Sequence, residues 1–184
     1  LAASRANSSF RSYWDWQEVI SFNKLGTFPY TPATNLLYGL REAVKMLEEE
    51  GLENVWTRHK RHSAATRAAV KVWGLETQCA DPAAHSPALT GVRVPDGHDA
   101  DAFRKVVLEN FDMSLGTGLN KIKGKVFRIG HIGHFNDLML MGTLAGVEMG
   151  LELAKVPHRA GGVMAAMDVL TGKSVVPMTK AAVA

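Results

Sequence analysis

Cysteine is nearly missing from this chain: Cys79 is the only one in 184 residues. An internal disulfide framework is thereby excluded, and a lone thiol fits a reducing compartment. No apolar run is long enough to span a bilayer, and the first residues do not form a signal peptide. No internal repeat or low-complexity tract stands out. Charge of one sign is scarce too. Lys and Arg number 21 against 18 Asp and Glu, and the net charge of +3 is mild. The terminal AAVA is not a peroxisomal address of the S-K-L kind, and together these absences point to a cytoplasmic protein. An initiating methionine is also lacking: a chain that opens on Leu1 reads as the C-terminal piece of something longer.

What is present is ordinary globular material, 46% hydrophobic, enough for a sizeable core. LAASRANSS reads as a frayed helix end. RSYWDWQEVISF, residues 11–22, gathers two tryptophans and a tyrosine around Asp15, a cluster that suits packing against another element or subunit. Thr31 followed by Pro32 has the form of an N-cap with proline at the first helical position. Leu36, Leu37, Leu40, Val44 and Leu47 then recur at helical spacing up to Gly51. A second helix is expected from Leu52 to Trp73, with Val55, Trp56, Ala65, Ala69, Val70 and Trp73 on its apolar side.

Beyond Leu75 the character changes. LETQCA, LTGVRVP, MSLGTGL and KVFRIG read as short strands. DADAFRKVVLENF has the aspartate cap and apolar spacing of a helix. HFNDLMLMGTLAGVEMGLELAK predicts a long helix, so apolar in its middle that deep burial is expected, and GGVMAAMDVLTG predicts a short one. The alternation suggests an α+β layer, with a small, largely antiparallel sheet covered by helices.

Two features could grip an anion. The free N–H groups of the helix after Thr31, with the Thr31 hydroxyl and the Tyr30 phenol, form one; the plainer alternative is that Thr31 only caps its helix. Arg128, set inside the apolar strand KVFRIG, is the other. Its planar fork suits a carboxylate, but a surface position or an internal ion pair would also account for it. SLGTG lacks the rest of a phosphate-loop fingerprint, so its glycines serve a sharp turn or a close approach. RHKRH, residues 58–62, carries no interleaved aromatics and reads as a solvated helix face rather than a nucleic-acid contact. His59 with His62, and His131 with His134, lack a third ligand at motif spacing, so no metal site is expected. Cys79 has no catalytic context, and no nucleophile or general base has a partner.

Taken in order, RSYWDW, FPYTPATNLLYGLREA, EEGLENVWTRH, SLGTGLNKIKGKVFRIGHIGHFNDLMLMGTLAGVEMGL and GGVMAAMDVL resemble the C-terminal half of class V pyridoxal-phosphate aminotransferases, nearest the serine–glyoxylate branch. The resemblance covers nearly the whole chain, up to about Lys173. It implies the C-terminal portion of a fold-type I transferase, mixing α/β and α+β structure and working as a homodimer. Residues 1–34 would be a remnant of the large cofactor domain and dimer interface, 35–74 connecting helices, and 75–184 a small α+β domain. In that family the arginine of the matching strand receives the substrate α-carboxylate, a role that falls on Arg128. The threonine and aromatic before the long helix reach the cofactor phosphate across the dimer, which implies Thr31 with Tyr30, or Phe28 in the aromatic place.

The family's Schiff-base lysine, its pyridine-binding aspartate, its ring-stacking aromatic and its glycine-rich loop all lie upstream of LAASR, and Lys24 is no substitute. No catalytic residue is therefore expected in this chain, which alone would be inactive. The parent would bind pyridoxal 5'-phosphate and move an amino group from serine to glyoxylate. Alanine–glyoxylate or broader small-amino-acid exchange is the alternative, and a non-catalytic dimerisation module a further one.

Overall fold

The computed structural model describes residues 1–7, 9 and 11–172. The tail beyond Gly172, which the sequence reading assigns to the C-terminal domain, lies outside the described residues. The chain forms two compact units, Leu1–Gly51 and Leu52–Ala184.

The first unit is helical. After α1 (Ala2–Ala6) and a single 3-10 turn (Ser12–Trp14), α2 runs over Trp16–Lys24 and α3 over Thr34–Glu50. Asp15 caps α2 by accepting the Gln17 N–H at 2.9 Å. Helix α3 has no such cap. Its N-cap is Ala33, with no side-chain hydrogen bond, so the expected capping role of Thr31 is not realised. Pro32 accepts the Thr34 N–H through its carbonyl, which delays the helix by two residues. The helical spacing of α3 is as expected, yet none of α1, α2 or α3 buries a residue. Leu36 is 75% exposed and Leu40 59%. The period of α3 is helical, but no described residue of the first unit covers its apolar stripe.

The second unit holds the core. Helix α4 (Leu52–Trp73) leads to strand β1 (Glu76–Thr77), β2 (Leu89–Arg93), α5 (Ala100–Phe111), β3 (Gly116–Thr117), β4 (Val126–Gly130), α6 (Asp137–Leu153) and α7 (Gly162–Leu170). The four strands form one sheet in the order β1-β2-β4-β3, every neighbour antiparallel. Asp99 and Asn136 cap α5 and α6, so the expected aspartate cap is present. Phe127 and Ile129 of β4 and Val92 of β2 face the core, which they share with Trp73, Phe103, Leu140, Leu144 and Leu151. The Phe103 and Phe127 rings lie 4.6 Å apart. Gly150 lets α6 approach α5, since a Cβ there would sit 2.4 Å from a Val107 methyl.

Two burial expectations need correction. Helix α6 is buried on one face only: Leu138 is 82% exposed and Met149 48%. Trp56, assigned to the apolar side of α4, is 51% exposed. In both helices apolar residues run further around the surface than the core extends, so composition overstates depth.

Candidate functional site

Antiparallel pairing fixes what surrounds Arg128. Side chains alternate along β4, so Phe127 and Ile129 enter the core while Val126 and Arg128 face the opposite side. In register beside Arg128 stand Gly91 on β2 and Gly116 on β3. A Cβ at Gly116 would lie 3.0 Å from both Cβ and Nε of Arg128, so the glycine leaves the space that the Arg128 side chain fills. The close-approach reading of SLGTG thus holds at Gly116. The arginine lines a recess of about 230 Å³ together with Arg67, Gln78, His85, Ile122 and Val126. Its Nε is buried without a partner among the described residues. An ordinary surface arginine would hydrate that donor and an internally paired one would satisfy it. An unfilled, buried donor on a cation is costly unless a ligand supplies the acceptor.

The turn after β4 is clamped from α4. Arg58 donates to the carbonyls of Gly133 (2.9 Å) and Phe135 (3.0 Å). His59 donates from Nδ1 to the Val55 carbonyl and accepts the Gly133 N–H on Nε2 at 3.1 Å. Arg61 forks onto both oxygens of Asp137 at 2.7 and 2.8 Å and reaches the Leu170 carbonyl. His62, fully buried, donates from Nε2 to Asp137 at 2.8 Å. The expected solvated face is therefore wrong: RHKRH is the strap that holds residues 133–137, and within it Lys60 points outward. These residues look solvated in sequence because most of their partners, the Gly133 and Phe135 carbonyls, the Gly133 N–H and the Asp137 carboxylate, lie some 75 residues later. His131 is equally structural. It donates to the Pro87 carbonyl and accepts from the Thr90 hydroxyl at 2.9 Å, and burial pushes its pKa down to about 4.

Tyr30 and Thr31 belong to the first unit, beside a groove of about 530 Å³ walled by Tyr13, Trp14, Trp16, Phe28 and Leu36. Ser12 donates to Glu18 at 3.0 Å. Because that hydroxyl's one hydrogen is spent, the 2.5 Å contact between Ser12 and Tyr30 has the phenol as donor. Tyr30 thus gives its hydrogen to Ser12 rather than to the groove. Thr31 is exposed, and the α3 N-terminus beyond it keeps its first-turn N–H groups clear of any side-chain cap. A hydroxyl and uncapped helix N–H groups are chemistry suited to a phosphate.

Sequence reasoning missed Arg67 and Gly91. Arg67 lies on α4 and lines the Arg128 recess, a placement invisible without the tertiary fold. Gly91 could have been found by aligning LTGVR against VFRIG in antiparallel register.

No family model matches the chain. A serine–glyoxylate aminotransferase of Arabidopsis thaliana is 45% identical over 167 residues, 90% of this chain and 42% of that protein. An L-aspartate–glyoxylate aminotransferase of Paracoccus denitrificans is 38% identical over 86% of this chain and 40% of its own length. Among solved structures, the ureidoglycine–glyoxylate aminotransferase of Bacillus subtilis matches 92% of this chain and 44% of that one, with a TM-score of 0.82 at 32% identity. The chain spans about two fifths of the length of the curated relatives it matches.

Proposed function

Because the chain belongs to the class V pyridoxal-phosphate aminotransferases, as a stretch about two fifths as long as its relatives, we propose that the whole enzyme moves the amino group of serine to glyoxylate, giving hydroxypyruvate and glycine. The observation that carries this reading is the buried, unpartnered Nε of Arg128 between two glycines. Its fork takes the substrate α-carboxylate and so sets the direction of the Cα–H bond. Pyridoxal phosphate, when bound, supplies the electron sink for the transfer. The Thr31 hydroxyl and the uncapped α3 N–H groups fit its phosphate, in a homodimer that brings them to the partner's cofactor. Tyr30, or Phe28 in its place, supports Thr31 from the aromatic groove. The lysine that carries the cofactor is assigned to a segment outside these residues, as the family resemblance implies. The 184 residues alone are then inactive.

In the full-length enzyme, Arg128→Ala raises KM for serine and costs about 2–5 kcal/mol in kcat/KM, read as hydroxypyruvate formation. An unchanged KM removes Arg128 from the site. Family membership leaves the donor open, because one relative is named for aspartate rather than serine. Comparing kcat/KM for serine and alanine at fixed glyoxylate separates this reading from an alanine–glyoxylate enzyme.

A further inference from the structure

The recess that holds Arg128 is lined by a second arginine, Arg67, and by no carboxylate among the described residues. Arg67 donates to the Ser63 hydroxyl, whose own hydrogen goes to the Ser86 carbonyl at 2.9 Å. Serine therefore neutralises nothing. Other polar groups of the rim are spent elsewhere: Thr77 and His85 both donate to the Cys79 carbonyl, and Gln78 accepts from Arg93 at 3.1 Å. Burial lowers the Arg67 pKa, as expected of a cation drawn partly out of water with no anion beside it. Gly91, Ile122, Leu89 and Val126 supply an apolar wall between the polar ends.

Resting on the assignment of the α-carboxylate to Arg128, we infer that Arg67 receives a second anionic group of the substrate, so that the site accepts a short dicarboxylic amino or oxo acid. One carboxylate lies on each guanidinium, and the aliphatic stem lies against the Val126 and Ile122 wall. Arg67 is then the residue that sets substrate range, and serine, which lacks the second charge, uses only the Arg128 half.

The test is direct binding to the purified 184-residue chain, followed through the Nε–Hε NMR signals of its arginines and by calorimetry. Succinate is the dicarboxylate probe and propionate its monocarboxylate counterpart. Succinate is expected to bind at least about tenfold tighter than propionate, with both the Arg67 and Arg128 signals shifting. Arg67→Gln narrows that ratio to less than about threefold, and Arg67→Lys, which keeps the charge, retains a preference for succinate. Far-UV circular dichroism establishes that each variant is folded. If both acids bind equally through Arg128, the second-anion inference fails while the Arg128 assignment stands. If neither acid moves the Arg128 signal, and Arg128→Gln binds like the parent chain, the underlying assignment fails. Tighter binding of inorganic phosphate than of succinate would mean both arginines share one ion, and would also overturn the inference.

Discussion

Replacing Asp137 by alanine tests whether the α4 strap holds the turn that follows the substrate strand. The carboxylate accepts two hydrogen bonds from Arg61 and one from His62. Its contributions separate by exposure. The Arg61 and Asp137 side chains are each 40% exposed, so their pair is screened and contributes about 0.5–1 kcal/mol. His62 is fully buried, and its Nδ1 already lacks a partner. Removing Asp137 strands the Nε2–H as well, which costs about 1–3 kcal/mol. The expected total of roughly 2–4 kcal/mol lowers the melting temperature by roughly 6–12 °C at neutral pH. Circular dichroism melting of the chain measures it, and amide exchange at Gly133 and Phe135 rises in parallel. Asp137→Asn, which keeps an acceptor oxygen for His62, loses less than half as much. A melting temperature within about 1 °C of the parent for the alanine variant, or equal losses for both variants, refutes the claim that His62 dominates the clamp.

Acid should weaken the fold in a window set by His131. Its pKa is held down to about 4 against an ordinary 6.5, so the unfolded chain takes up the proton first. Stability is therefore complete above pH 6.5 and falls as the pH drops towards 4, by at most about 1.4 kcal/mol per pH unit. His131→Gln flattens that slope in pH-dependent urea unfolding. Glu148 acts lower on the scale. Burial pushes its carboxyl up, but hydrogen bonds from the Gly161 N–H, the Trp73 indole and the Val163 N–H outweigh this and hold it below 4.5. Glu148→Ala strands the buried indole and costs about 2–4 kcal/mol near neutral pH, a loss that shrinks as the pH falls below the usual carboxylate range. Gly116→Ala crowds the Arg128 side chain. In the full-length enzyme it raises KM for the amino donor about tenfold or more with little change in melting temperature, and an unchanged KM denies the glycine its spacing role.

Where local rules decide, the sequence was readable. The Asp99 cap before α5, the glycine after α3 and the alternation of β2 all appear where residue chemistry puts them. Legibility failed where the deciding partner is distant in the chain. Thr31 resembles a cap, but the Pro32 carbonyl bonds the Thr34 N–H and shifts the helix start. RHKRH resembles a solvated knot because its acceptors lie in residues 133–137 and 170. Arg128 stands out because an arginine inside an apolar strand violates the usual burial order. Arg67 does not, because an arginine on a helix violates nothing, and only the fold brings it to the same recess.

The Arg128 site owes its geometry to a division between what is filled and what is left open. On the core side of β4, Phe127 and Ile129 are fully buried, which fixes strand position and register together, since a one-residue slip would carry Arg128 into the core. On the other side the neighbours in register are glycines, which remove the side chains that would otherwise bond or cover the guanidinium. The strap from α4 satisfies backbone groups at Gly133 and Phe135, so the turn beyond the strand has little freedom to fold back and quench the charge. Among the described residues, the Nε of this cation is thus kept without a partner by the same contacts that stabilise the sheet around it. That is the condition for preorganised carboxylate recognition, because the desolvation cost is met during folding and not again when substrate binds.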